Sequence, residues 1–156
     1  MKINLVAVGT KMPTWVTQGF EEYSKRLPRE CQLQLIEVAP AKRGKNAQPE
    51  QWKKDEATRI LNLIPDNHLV IALEVTGKSW STEALSDNMQ GWLSDGRDVS
   101  LLVGGPDGLD ASCLQRADQK WSLSAMTLPH PLVRIVLAEQ VYRAWTILQN
   151  HPYHRS

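Results

Sequence analysis

Short apolar runs alternate with helix-periodic segments along almost the whole chain, and that alternation leaves few architectures open. Ile3 to Gly9 is brief, apolar and β-branched, as a buried strand must be. Thr14 suits a helix cap, and Val16, Phe20, Tyr23 and Leu27 follow at helical spacing to about Leu27. Gln32 to Val38 alternates polar and apolar, which predicts a half-buried strand. Ala39 to Gln48 is a polar loop with Lys42, Arg43 and Lys45; Pro49 then suits the first turn of a helix reaching Ile64. His68 to Val75 reads as a third strand, ended by Thr76-Gly77-Lys78. Ser81 or Thr82 caps a helix with Leu85, Met89, Trp92 and Leu93 inward, closed by Gly96. Val99 to Val103 is a fourth strand, Asp110 caps a short helix through Ala117, and a short strand lies near Trp121 to Leu123. Leu132 to Gln149 is the last helix, and His151 to Ser156 a tail. Strand-helix alternation of this kind predicts an α/β layer with a mostly parallel sheet flanked by helices. Ligands bind such sheets just outside the carboxyl ends of the strands, here Leu73-Glu74, Gly104-Gly105 and the loop after Leu123.

The 156 residues fit one domain, 1–156, without repeats or linkers. A formal net charge of +1 means that any phosphate-binding surface must come from local clusters of cations. The only cysteines, Cys31 and Cys113, stand in unrelated contexts, which argues against a zinc site or disulfide scaffold and suits the cytosol. No apolar run approaches the roughly 18 residues of a membrane span, and the N-terminal run is too short for a signal peptide.

Four segments have the composition of a working site. Gly104-Gly105-Pro106-Asp107-Gly108 directly follows a buried strand, so main chain could approach a ligand closely there. The same residues also suit a plain strand-to-helix turn, and neither a dinucleotide fingerprint nor a phosphate loop is present. Ser122 to Pro131 places small hydroxylated residues before two prolines that stiffen a helix entry. The last helix is apolar in nearly every direction, interrupted by Arg134, Glu139 and Arg143, which points to burial on several sides and a subunit interface. The tail packs two histidines, a tyrosine and an arginine into five positions, from His151 to Arg155. That is a base-stacking and phosphate-binding composition, although chain ends usually fray. The six tryptophans read mostly as core.

In order along the chain, these segments resemble one family. Leu5-Val6-Ala7-Val8-Gly9-Thr10-Lys11, Lys42-Arg43-Gly44-Lys45-Asn46, the glycine loop, Leu128-Pro129-His130-Pro131-Leu132-Val133-Arg134, Glu139 to Trp145 and Asn150 to Arg155 are similar to the ribosomal large-subunit pseudouridine methyltransferases of the H type. That family is part of the SPOUT methyltransferases. The resemblance implies a C-terminal trefoil knot, a homodimer, and methylation of N3 of a pseudouridine in 23S rRNA on assembled ribosomes, in the cytoplasm. One departure is Asp107, where glutamate is commoner in the family.

The resemblance also implies where the parts of the site lie. S-adenosylmethionine is expected against Leu73, Gly104, Gly105, Leu123, Ser124, Ala125, Met126, Thr127 and Leu128. His130, Tyr153 and His154 are expected to contact or deprotonate the base, and Arg134 and Arg155 to hold phosphates or stabilise the developing anion. No metal is expected, and the implied partner is the ribosome through its 23S rRNA, with no DNA and no membrane. Other readings from the same residues are a ribosome-binding factor without catalysis and a tRNA-directed relative.

Overall fold

The structure, a computed structural model, describes residues 1–46 and 48–155; Ala47 of the polar loop and Ser156 of the tail lie outside the described residues. Strands and helices alternate as β1 (Lys2–Val8), α1 (Thr14–Ser24), β2 (Gln32–Val38), α2 (Pro49–Asn62), β3 (Leu69–Ser79), α3 (Thr82–Asp95), β4 (Val99–Val103), α4 (Ala111–Arg116), β5 (Gln119–Ser122) and α5 (His130–Leu148). Short 3-10 turns occupy Arg29–Cys31 and Pro152–Arg155. The strands form one sheet in the order β2-β1-β4-β3-β5, and every pairing is parallel.

Each central strand is buried on both faces, so its residues divide between two cores. Ile3, Leu5 and Ala7 of β1, with Ile71 and Leu101, pack against Phe20, Leu85, Met89, Leu137 and Val141 from α1, α3 and α5. Val6 and Val8, with Val70, Ala72 and Leu102, face Ala57 and Ile60 of α2 and Cys113 of α4. The result is a three-layer sandwich, with α1, α3 and α5 on one face and α2 and α4 on the other. Both cysteines are free and buried, one in each core. Burial pushes each thiol up to about 11.

The strand order reverses between β1 and β4. From β1 the chain moves outward to β2 through α1; from β4 it moves the other way, to β5 through α4. That reversal opens a crevice at the carboxyl edge of the sheet.

Several boundaries differ from the sequence reading. Pro13, not Thr14, is the N-cap of α1, without a side-chain cap bond, and the helix stops at Ser24. Leu27 packs against the core from beyond that end, just before Pro28, which helices avoid running into. Strand β3 runs through Thr76-Gly77-Lys78 to Ser79, because Lys78 and Ser79 pair with Trp121 and Ser122 after a register shift from Leu73. A Cβ on Gly77 would lie 2.7 Å from the Lys120 carbonyl carbon, so only glycine allows the two backbones to pass there. Helix α5 begins two residues earlier than expected, at His130. Trp15 departs from the reading of the tryptophans as core: it is 51% exposed.

Candidate active site

Parallel strands end together, so loops crowd their carboxyl edge, and a cleft of about 590 Å³ opens there. Its walls are the end of β3 (Leu73, Glu74, Val75), the segment from Val103 to Leu109, and residues from Leu123 to His130 other than Ala125. The volume is in the range of small-ligand pockets. Leu73, Gly104, Gly105, Leu123, Ser124, Met126, Thr127 and Leu128 therefore share one cavity, while Ala125 is exposed and does not line it.

The glycine loop owes its shape to close backbone contact. A Cβ on Gly104 would sit 2.6 Å from the carbonyl carbon of Gly108, and the Gly108 N–H donates to the Gly105 carbonyl at 2.9 Å. Folded back on itself, the loop presents main-chain groups to the cleft. The opposite wall is fixed by its own hydroxyls. Ser122 Oγ donates to the Ser124 carbonyl at 3.1 Å, and Ser124 Oγ accepts the Met126 N–H at 2.9 Å.

Beneath the glycine loop lies Glu56, a buried carboxylate that the sequence reading missed. Its Oε2 accepts the Ala41 N–H at 3.1 Å and lies 3.8 Å from Arg43; its Oε1 has no hydrogen-bond partner. Arg43 in turn donates to Asp107 at 2.7 Å and lies over the Trp52 ring at 5.0 Å. The basic loop is thus tied to the glycine loop. A signal was available, since Glu56 falls midway between Trp52 and Ile60 on the inward row of α2, where a carboxylate has no place without partners.

His130, the first residue of α5, joins the glycine loop to that helix. Its Nδ1 lies 3.1 Å from the Gly104 carbonyl oxygen, and its Nε2 lies 3.3 Å and 3.2 Å from Nε and Nη2 of Arg134. Arginine has no lone pair to offer, so Nε2 is the acceptor and the Nδ1–H donates to Gly104. Burial, and then the neighbouring Arg134 charge, holds the imidazole below its ordinary 6.5, which keeps it neutral at neutral pH. Arg134 is 1% exposed and also donates to Glu37 at 2.7 Å and to the Gly9 carbonyl at 2.9 Å. Its donors are spent inside the protein, so it reaches the cleft through His130.

The tail occupies another place. The Tyr153 hydroxyl donates to Glu139 at 3.2 Å, its ring meets Tyr142 edge-on at 4.7 Å, and the Arg143 guanidinium lies 4.9 Å from the ring centre. Burial, and then the Glu139 charge, pushes the phenol above its usual range, so it stays a hydrogen-bond donor. Glu139 and Arg143 form the i,i+4 pair that the spacing predicts, at 2.6 Å. His154 is half-buried and Arg155 exposed. This tail leaves the far end of α5 from His130 and folds back along the helix as far as Glu139, about 14 Å of helix beyond His130. Within one chain the structure gathers the cleft residues, His130 and Arg134, and leaves Tyr153, His154 and Arg155 apart from them.

Among the described residues no group of three or more His, Cys, Asp or Glu side chains is placed to hold a metal ion. No helix among them is long and apolar enough to cross a membrane.

Comparison with known proteins agrees with this geometry. Proteins called ribosomal RNA large subunit methyltransferase H are similar over full length. The one from Hahella chejuensis is 60% identical over 155 residues, covering 99% of each chain. The one from Chromohalobacter salexigens is 59% identical, covering 99% of this chain and all of its own, 100%. Among solved structures, a methylase family protein from Haemophilus influenzae shares the fold with a TM-score of 0.58 at 13% identity, over 97% of this chain and 69% of its own. The family described as "Predicted SPOUT methyltransferase" matches residues 1–154. With a parallel sheet that reverses above a glycine-walled cleft, and with that match along its length, the chain belongs to the SPOUT methyltransferase family.

Proposed function

We propose that this chain methylates N3 of a pseudouridine in 23S rRNA, on assembled ribosomes in the cytoplasm, working as a homodimer with S-adenosylmethionine as methyl donor. The observation that carries this reading is the cleft at the strand reversal, whose walls are the segments expected to hold the donor. Its composition fits a compact cationic ligand. Glu74 offers a carboxylate to a sulfonium or an ammonium, while Leu73, Leu123 and Leu128 offer apolar surface and the Gly104–Gly108 loop offers main-chain donors and acceptors. Bound there, the donor would supply an already activated methyl group, so the protein's task is placement, worth up to about 7–11 kcal/mol of barrier.

The chain's own residues divide that task. Gly104, Gly105 and the Leu123–Leu128 stretch, with Ala125 at its exposed turn, shape the donor pocket. His130 fixes the Gly104 carbonyl and is itself fixed by Arg134, so this pair positions the glycine loop against α5. The N3 proton must leave as the methyl group arrives. Tyr153, His154 and Arg155 are assigned to the base and its phosphates, with His154 as proton acceptor. Because Tyr153 is held at Glu139, about 14 Å of helix beyond His130 and the cleft of its own chain, they serve the cleft of a second copy. Half-buried Val133, Ile135 and Val136 with exposed Leu132 along α5, and exposed Val75 and Met126 at the cleft mouth, supply apolar surface for that contact.

The test is methyl transfer from labelled S-adenosylmethionine to ribosomes lacking the modification, with separated subunits and total tRNA alongside. Label at N3 of a pseudouridine in 23S rRNA is the expected result. Label in tRNA alone would keep the donor site and overturn the substrate. Absence of donor binding would overturn the enzyme assignment.

A further inference from the structure

We propose that the rim built by the loops after β1 and β2 and the first turn of α1, carrying Lys11, Lys42, Lys45 and Trp15, grips single-stranded RNA beside the cleft, with Trp15 stacking on a base next to the target. This deepens the proposed function and rests on its assignment of an RNA substrate.

The two loops leave the sheet side by side. Strands β1 and β2 pair in register up to Val8 and Val38, and the Gly9 N–H donates to the Val38 carbonyl at 2.8 Å. Both loops adjoin the candidate site. A Cβ on Gly9 would lie 2.8 Å from the Met12 methyl, 3.2 Å from Arg134 and 3.5 Å from His130, so the first loop touches the His130 assembly. The second is fastened to the glycine loop through Arg43 and Asp107.

What the rim displays is then informative. Trp15 is 51% exposed although Val16 and Phe20, its neighbours on α1, are in the core, so about half of its surface is left to meet a ligand. Lys11, Lys42 and Lys45 are exposed, and among the described residues none has an acidic partner. Three carboxylates of the adjoining segments are engaged elsewhere: Glu37 holds Arg134, and Asp107 and Glu56 hold Arg43. A protein with a formal charge of only +1 has therefore left three cations free along one edge of its site. An aromatic face among free cations suits unpaired nucleotides, whose bases stack while their phosphates pair with lysine. A second copy of this chain fits less well, since a two-fold contact would bring like charges together.

The experiment compares Trp15→Ala, Trp15→Phe and a triple variant (Lys11→Ala, Lys42→Ala, Lys45→Ala) with wild type. For each, it measures kcat and KM on unmodified ribosomes, co-sedimentation with ribosomes at several salt concentrations, oligomeric state and thermal midpoint. Trp15→Ala should raise KM about fivefold or more with kcat within about twofold, and Trp15→Phe should recover most of the loss. The triple variant should flatten the log–log salt dependence of ribosome binding by roughly two units, about 0.7 per lysine. KM and ribosome binding within about twofold of wild type in every variant would overturn the proposal. A changed oligomeric state in Trp15→Ala would also overturn it, by making the rim a subunit contact. The substrate reading fails separately, if wild type puts no label into 23S rRNA. Co-sedimentation then still decides the rim, and wild type that does not sediment with ribosomes overturns both.

Discussion

Arg134 is the largest side chain that the protein buries completely, and its charge is answered by a carboxylate, a carbonyl and an imidazole. Glu37 supplies the only opposite charge in that set and is half-exposed, so water replaces part of what its removal takes away. Glu37→Ala should therefore cost about 2–3 kcal/mol in chemical denaturation, somewhat less than breaking a fully buried pair. His130 adds a pH dependence of known sign. Its folded-state value lies below 6.5, so the unfolded chain binds the extra proton first as the solution is acidified. The stability it contributes is fully present above pH 6.5 and is lost as pH falls through the depressed folded value. Unfolding of His130→Gln measured across this range should lack that component of the acid-side slope. At this scale the sequence was partly legible. His130 stood out, but its partners did not, because Gly9, Glu37 and Gly104 lie 125, 97 and 26 residues from the groups they meet.

Among the elements, α3 and α4 matched their local sequence signals, whereas the expected Thr14 cap of α1 did not form. Ser81 caps α3 by accepting the Ala84 N–H, Asp110 caps α4 by accepting the Ser112 N–H, and α3 closes at Gly96 in the left-handed conformation. Strand β3 was misread because Thr76-Gly77-Lys78 has the composition of a turn, whereas its conformation is set by a strand more than forty residues later. The Gly77 backbone passes so close to Lys120 and Trp121 that a methyl group has no room. Gly77→Ala should destabilise the protein by about 1–3 kcal/mol, as overpacking does, and hydrogen exchange should show β5 opening before β1 and β4. Glu56 is the converse case. Its position on the inward row of α2 was visible in the sequence, but the Ala41 and Arg43 partners that make it tolerable were not.

The whole molecule has its donor cleft at one end of α5, while its tail leaves the other end and packs back only as far as the middle of the helix, and this sets the most direct test of the proposed assembly. Neither a Gly104→Ala chain nor a chain lacking the side chains of Tyr153, His154 and Arg155 should methylate ribosomes alone. Mixed and allowed to exchange, they should regain about a quarter of wild-type activity in a methyl-transfer assay, because half of the dimers pair an intact cleft with an intact tail at one of two sites. The order of motifs carried the family resemblance across the chain. The distance between two of them needed coordinates, since it depends on how far the tail folds back along α5. The sandwich has one more consequence. Its sheet partitions the interior so that Cys31 and Cys113 sit in different compartments, each sealed and each too weakly acidic to react while sealed. A thiol-specific reagent added to the native protein therefore acts as a pair of clocks. Modification of Cys31 times the breathing of the α1, α3 and α5 layer, and modification of Cys113 times that of the α2 and α4 layer.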